Sequence, residues 1–215
     1  MKNILLISAR PGAGVMTISV NLATGLARCG SQVLISSFQS DPTFTTWLQG
    51  SQNGANGLLE RYANLKLVEW PEFLAGESNL EKSYDYWLGI CGGDLEKVAR
   101  WKGKELQVLC IFDAVKDASE EVITIERKLR QLSEELIGID LLVPNKVHPG
   151  EWKKSSGLIL DLSNQLGWEK VADPIPFCEA IHDLPKERKS VWELPDYYNN
   201  RKQAFQRLLE RVKND

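Results

Sequence analysis

The sequence predicts an α/β fold, a mostly parallel sheet of about seven strands flanked by helices on both faces. Two patterns predict it. Short apolar runs bounded by turn residues alternate from end to end with segments whose apolar residues recur every three or four positions. Short continuous apolar runs of this kind are expected of strands buried on both sides.

The predicted strands are Ile4–Ser8, Val33–Ser37, Leu65–Val68, Tyr86–Ile90, Val108–Phe112 and Ile139–Val143, with a last short one near Val171–Ile175. Between the first two, Ile18, Leu22, Ala23 and Leu26 form a helical face. A second face carries Val122, Ile125, Leu129, Leu132 and Leu136. Near the C-terminus Phe205, Leu208, Leu209 and Val212 make a third, on a helix that also carries Arg201, Arg207, Arg211 and Lys213. This helix is expected to pack on the sheet. The segment Gln49–Gly57, rich in Gly, Asn, Gln and Ser, reads as a surface loop.

With 215 residues, 43% apolar and 26% charged, the chain is expected to form one domain, 1–215, that needs neither disulfide nor structural metal. A net charge of −3 argues against a surface built to neutralise a nucleic-acid backbone. The run Lys186-Glu187-Arg188-Lys189 is interrupted by an acid and reads as a solvated turn. Cys29, Cys91, Cys110 and Cys178 are scattered without a C-x-x-C or a nearby histidine pair, so they read as free thiols in a reducing compartment. His148 and His182 are isolated. The apolar run after Met1-Lys2-Asn3 is too short for a signal segment or a membrane span, and a cytoplasmic protein is expected.

After the first strand comes Ala9-Arg10-Pro11-Gly12-Ala13-Gly14-Val15-Met16-Thr17, running straight into the first helix. A glycine-rich turn feeding a helix N-terminus presents backbone N–H groups and a positive helix end to an anion. A plain strand-to-helix turn is the alternative.

The stretch Arg10–Leu48, RPGAGVMTISVNLATGLARCGSQVLISSFQSDPTFTTWL, resembles the ParA/MinD pattern KGGxGKTT, then xxNLAxxLAxxGxxVLxID and xDPxxxxTxWL. Farther on, Leu141–Val147 is similar to that family's LVVNKV segment. Ile175–Phe177, Ala180-Ile181 and Lys189–Pro195 are similar to its terminal IPxDxxxxxAxxxGxPVxExxP pattern. The resemblance spans nearly the whole chain. It implies a three-layer P-loop sandwich that binds ATP with magnesium and acts in cellular positioning or partitioning through protein partners, a homodimer among them.

The resemblance also shows where the chain departs from the pattern. Arg10 falls where a signature lysine reaches across the dimer, and Gly12, Gly14 and Thr17 keep their places in the phosphate loop. Val15 replaces the lysine that contacts the phosphates, and Met16 replaces the hydroxyl residue that ligates magnesium. Ser37 and Gln39 fall on two aspartate positions, and Ile90 falls on a third, with Asp94 too far along to substitute. Valine supplies no charge, and a thioether is a poor ligand for a hard cation, so no metal site is expected. Phosphoryl transfer rests on positioning and charge neutralisation, so hydrolysis is not expected.

The resemblance still implies nucleotide-binding roles for Arg10, Gly12, Gly14, Thr17, Asn145 and Pro176, with ATP or ADP as the ligand and Asn145 reading adenine. Asp41 is the one candidate catalytic acid. Its other reading is a cap ahead of Pro42. The function expected is a non-hydrolysing positioning or assembly scaffold, similar in its departures to the CpaE/TadZ group. The alternative is a weak MgATPase in partitioning, septum or pilus/flagellum placement. The C-terminal helix is not expected to bind membrane, nor the surface to bind nucleic acid. Seven tryptophans are many for this length, and the sequence does not say which of them are exposed.

Overall fold

The architecture is taken from a computed structural model, which describes residues 1–38, 41–50, 56–68, 83–92, 95, 98, 105–114, 118–132 and 138–214. Gln39, Gly93, Asp94, Leu136, Trp70, Trp101 and residues 51–55 of the Gly/Asn-rich loop lie outside them. The strands are β1 Lys2–Ser8, β2 Val33–Ser37, β3 Leu65–Leu67, β4 Tyr86–Cys91, β5 Leu106–Asp113 and β6 Leu141–Asn145. They form one sheet in the order β3-β2-β4-β1-β5-β6, and every pairing is parallel. The α-helices are α1 Val15–Arg28, α2 Pro42–Gln49, α3 Leu58–Arg61, α4 Ala118–Leu132, α5 Trp152–Leu166, α6 Glu179–Glu187 and α7 Asn199–Asn214.

Strand side chains alternate between the two faces, so each continuous apolar run feeds two cores. Ile4, Leu6, Val33, Ile35, Leu88, Ile90, Leu109, Ile111, Leu141 and Val143 point toward α1, α2, α3, α6 and α7. Leu5, Ile7, Leu34, Trp87, Cys91, Val108, Cys110, Phe112 and Leu142 point to the other face, where α4 and α5 bring Val122, Ile125, Leu129 and Leu162. Both layers of helices are thus fixed by the period of two within β1, β2 and β4–β6.

The expected seventh strand is not formed. Residues 171–177 lie parallel to β6, but only two isolated bridges, Leu142 with Val171 and Val147 with Pro176, join them. Between the bridges Ile175 N donates to Pro144 O at 2.8 Å, and Pro144 has no N–H to return. Proline therefore breaks the ladder where an apolar pattern alone predicts a strand.

The C-terminal helix packs as expected. Ala204, Phe205, Leu208, Leu209 and Val212 are buried, and Lys2 Nζ donates to Val212 O at 2.6 Å. The Asn21-Leu22-Ala23 segment of α1 explains itself here. Asn21 Oδ1 accepts from Val191 N at 2.6 Å, and its carbonyl accepts from Trp192 Nε1 at 2.9 Å. Gly25, one turn on, leaves room for the Trp192 ring, which a Cβ would meet at 2.7 Å. No helix among the described residues is long and apolar enough to cross a membrane.

Candidate functional site

β1 ends at Ser8 in the middle of the sheet, with β4 and β5 as its neighbours. The chain first travels outward to β2 and β3, then returns through β4 and continues on the other side of β1 to β5 and β6. The carboxyl end of β1 is thus at a change of direction in the sheet, where α/β proteins place their ligands.

Two glycines shape the loop that follows. Gly12 has φ +83° and Gly14 φ +99°, conformations that L side chains rarely adopt. Gly14 is also enclosed: an added Cβ would lie 2.2 Å from Nδ2 of Asn145. The Asn145 amide is itself committed, donating to Ala13 O at 2.8 Å in a buried setting. Its neighbour Lys146, at φ +55°, donates from Nζ to Gly12 O at 2.5 Å. The end of β6 therefore clamps the loop from behind by its carbonyl groups. Gly14 caps α1 with no side-chain hydrogen bond to the first-turn N–H groups.

Val15 and Met16 are half-buried against the core beneath α1, α2, α3, α6 and α7, and Ile90, 3% exposed, belongs to that same core. Register puts Ile90 beside Leu6 of β1 and Ser37 of β2. An aliphatic chain, a thioether and a second aliphatic chain do not suit magnesium, which takes oxygen ligands. Among the described residues no group of three or more His, Cys, Asp or Glu side chains is placed to hold a metal ion.

Thr17 sits half-buried in the first turn of α1, and its carbonyl accepts from Asn21 Nδ2 at 2.8 Å. Arg10 leaves the loop toward α4: its Nε lies 2.9 Å from Glu121 Oε2 and 3.3 Å from Asp113 Oδ1 at the end of β5. Ser8 Oγ donates to the Arg10 carbonyl. A groove of about 320 Å³ opens on this side, lined in part by Ser8, Glu120, Glu121, Thr124 and Lys128. Pro176 is half-buried on the far side of β6, next to Phe177, whose ring stacks on His148 at 4.1 Å.

The structure brings Gly12, Gly14 and Asn145 into one cluster and sends Arg10 to another. Asp41 stands apart as the cap of α2. Its Oδ1 accepts from Thr43 N at 2.8 Å and Phe44 N at 3.0 Å, with Pro42 in the first turn. Sequence reasoning passed over Lys146, Asp113 and Glu121. Lys146 carried a signal, since it directly follows Asn145; the two acids carried none that local pattern reveals.

No family model and no curated protein matches the sequence. Solved structures do match its three-dimensional form. Apo McdA of Cyanothece superposes with a TM-score of 0.75 at 17% identity, covering 99% of this chain and 100% of that one. The MinC:MinD cell division complex of Aquifex aeolicus gives 0.68 at 16% identity, covering 99% and 94%. A ParA family ATPase of Chlorobium tepidum gives 0.69 at 16%, covering 99% and 98%. At such identities the likeness is one of fold, and it extends over 94% or more of each chain in these three comparisons. The chain has the fold shared by McdA, MinD and the ParA family ATPases.

Proposed function

We propose that this protein is a ParA/MinD-like scaffold with a degraded nucleotide site, positioning or assembling other proteins by direct contact without turning over ATP. The observation that carries this reading is the apolar setting of Val15, Met16 and Ile90. The fold's charged and metal-ligating chemistry would be centred there, and all three side chains pack against one hydrophobic core. Losing a single electrostatic group from such a site typically costs about 10²- to 10³-fold in rate. Here the phosphate-contacting cation and two magnesium-binding positions are replaced together. The MinC:MinD complex supports action through protein partners, as a property of that neighbour.

A second reading, nucleotide binding without hydrolysis, is favoured by a separate observation. Gly12 and Gly14 keep the positive φ of an open anion-binding turn, and the first-turn N–H groups of α1 receive no side-chain cap. In this reading Gly12, Gly14 and Thr17 hold the phosphates of ATP or ADP, and Arg10 and Asn145 exchange their present partners, Glu121 with Asp113 and the Ala13 carbonyl, for the phosphates and for the base beside Pro176. Calorimetric titration with ATP, with and without magnesium, paired with a phosphate-release assay, separates the two. The scaffold reading expects no magnesium-dependent binding and no phosphate above the buffer rate. Magnesium-dependent turnover refutes it, and magnesium-independent binding without turnover selects the second reading.

A further inference from the structure

Lys146 holds a backbone conformation that its residue type resists. Its φ of +55° lies in the left-handed region, which among the described residues one other non-glycine residue, Arg188, adopts. Arg188 is accounted for as the residue that closes α6. Lys146 closes no helix, and strain of this kind persists where the surroundings demand it. It directly follows β6, and its side chain runs back over the glycine loop. Cε lies 3.8 Å from the place of a Gly14 Cβ, and Nζ donates to Gly12 O at 2.5 Å.

The loop it reaches is a turn shaped by its own sequence. Ala13 N donates to Arg10 O at 3.3 Å, and between them Pro11 and Gly12 take the central places, Gly12 with the positive φ that a type II turn requires second. The carbonyls of Arg10, Gly12 and Ala13 each accept from a side chain, those of Ser8, Lys146 and Asn145 respectively. A carbonyl oxygen facing an anion repels it. In a trans peptide the next N–H points the opposite way, so holding these oxygens behind the loop sets the loop's donors toward its front. Charge is scarce there, because Val15 carries none and Arg10 Nε is turned to Glu121 and Asp113.

We propose that Lys146 is the positioning residue that fits this loop to a phosphate group, and that it supplies the positive charge Val15 lacks. The proposal rests on the reading in which the loop binds nucleotide phosphates. In that reading Asn145 leaves Ala13 O for the base, and Lys146 is the clamp from β6 that stays. It acts through the Gly12 carbonyl, and its charge reaches the anion across one peptide group, a separation of about 6 Å. At that distance a unit charge raises anion affinity about 3-fold at the dielectric constant of water and about 100-fold at an effective value of about 20. The half-buried Lys146 falls between these limits. Glycine or asparagine would relieve the strain at this position, but neither carries charge to the loop.

The test is calorimetric titration with inorganic pyrophosphate and with ADP, both in the presence of a magnesium chelator, on the wild type, Lys146→Met, Lys146→Arg and Lys146→Asn. Thermal melts of the same four proteins accompany it. The proposal expects Lys146→Met and Lys146→Asn to weaken both ligands by one common factor between about 3 and about 100. It expects Lys146→Arg to bind as the wild type does, and Lys146→Met to lose part of the salt dependence of binding. Lys146→Asn should melt at or above the wild-type temperature, because asparagine tolerates the left-handed conformation. A wild type that binds neither ligand refutes the nucleotide reading and this proposal with it. A wild type that binds pyrophosphate no better than Lys146→Met refutes this proposal alone. Loss of ADP affinity with pyrophosphate unchanged also overturns it, since Lys146 would then serve the base. So does a lowered melt in Lys146→Asn with binding intact, which would make Lys146 a fastener of the fold.

Discussion

Replacing Gly14 by alanine separates backbone strain from steric conflict, because Gly12 supplies a matched control. Both glycines are held at positive φ, and a left-handed conformation costs an L residue about 1–2 kcal/mol. At Gly12 nothing lies within 4 Å of an added Cβ, so Gly12→Ala should cost only that strain. At Gly14 the new methyl meets Asn145 Nδ2 at 2.2 Å and must displace it. Displacement breaks the 2.8 Å hydrogen bond to Ala13 O, whose residue is fully buried, and an unpaired buried acceptor costs about 1–3 kcal/mol. Gly14→Ala should therefore cost about 2–5 kcal/mol in all. Asn145→Ala alone forfeits the same hydrogen bond, and the double variant has no clash left to pay twice. The double variant should be about as stable as Gly14→Ala, with a coupling of about 1–3 kcal/mol. Urea denaturation followed by circular dichroism measures all four species; with a slope of about 2–3 kcal/mol per molar, Gly14→Ala shifts the midpoint by roughly 1–2 M. Additive effects within about 0.5 kcal/mol would show that Asn145 does not close against Gly14 and that the clamp is misplaced.

Gly25→Ala should destabilise the protein by about 1–3 kcal/mol through overpacking, since its Cβ would lie 2.7 Å from the Trp192 ring and 3.2 Å from Leu209. Thermal melting reads this, and Trp192→Phe should relieve part of it. Asp41→Ala should cost about 1 kcal/mol as a lost helix cap, whereas Asp41→Asn, which keeps the accepting oxygen, should cost far less. Equal losses in the two variants would count against the cap. A thiol-reactive chromogen should label exposed Cys29 at once and leave Cys91 and Cys110 untouched until the chain unfolds. Burial pushes the Cys110 thiol well up from its ordinary range, which withholds the reactive thiolate. Rapid native labelling of more than Cys29 and the half-buried Cys178 would contradict that burial.

The sheet was legible because a strand covered on both faces carries a continuous apolar run, and β1, β2 and β4–β6 each carry one. The seventh strand misled for a related reason. Apolar patterning reports burial, while a ladder also needs donors, and Pro144 removes one at the position that faces residues 171–177. Asp41 followed local rules, and its carboxylate takes the role that an Asp-Pro pair suggests. Asn145 and Lys146 show where local rules end. Their partners, Ala13 and Gly12, lie 132 and 134 residues away, so their grip on the loop depends on the fold being complete. The tryptophans illustrate the same limit. Trp47 and Trp87 are fully buried, Trp192 is half-buried beneath Arg28 at 5.3 Å, and Trp152 and Trp168 are on the surface, yet no flanking pattern distinguishes them.

The broken ladder along β6 has a consequence for how the protein behaves in a crowded solution. An open sheet margin is a template for another chain's backbone, and natural proteins blunt it with proline, short strands and charge. On one flank, residues 171–177 cover β6, with Pro174 and Pro176 withholding donors of their own. On the other, β3 is three residues long and turns Lys66 outward to solvent. Among the described residues neither flank offers a long row of unpaired amides, so the sheet resists growing by strand addition.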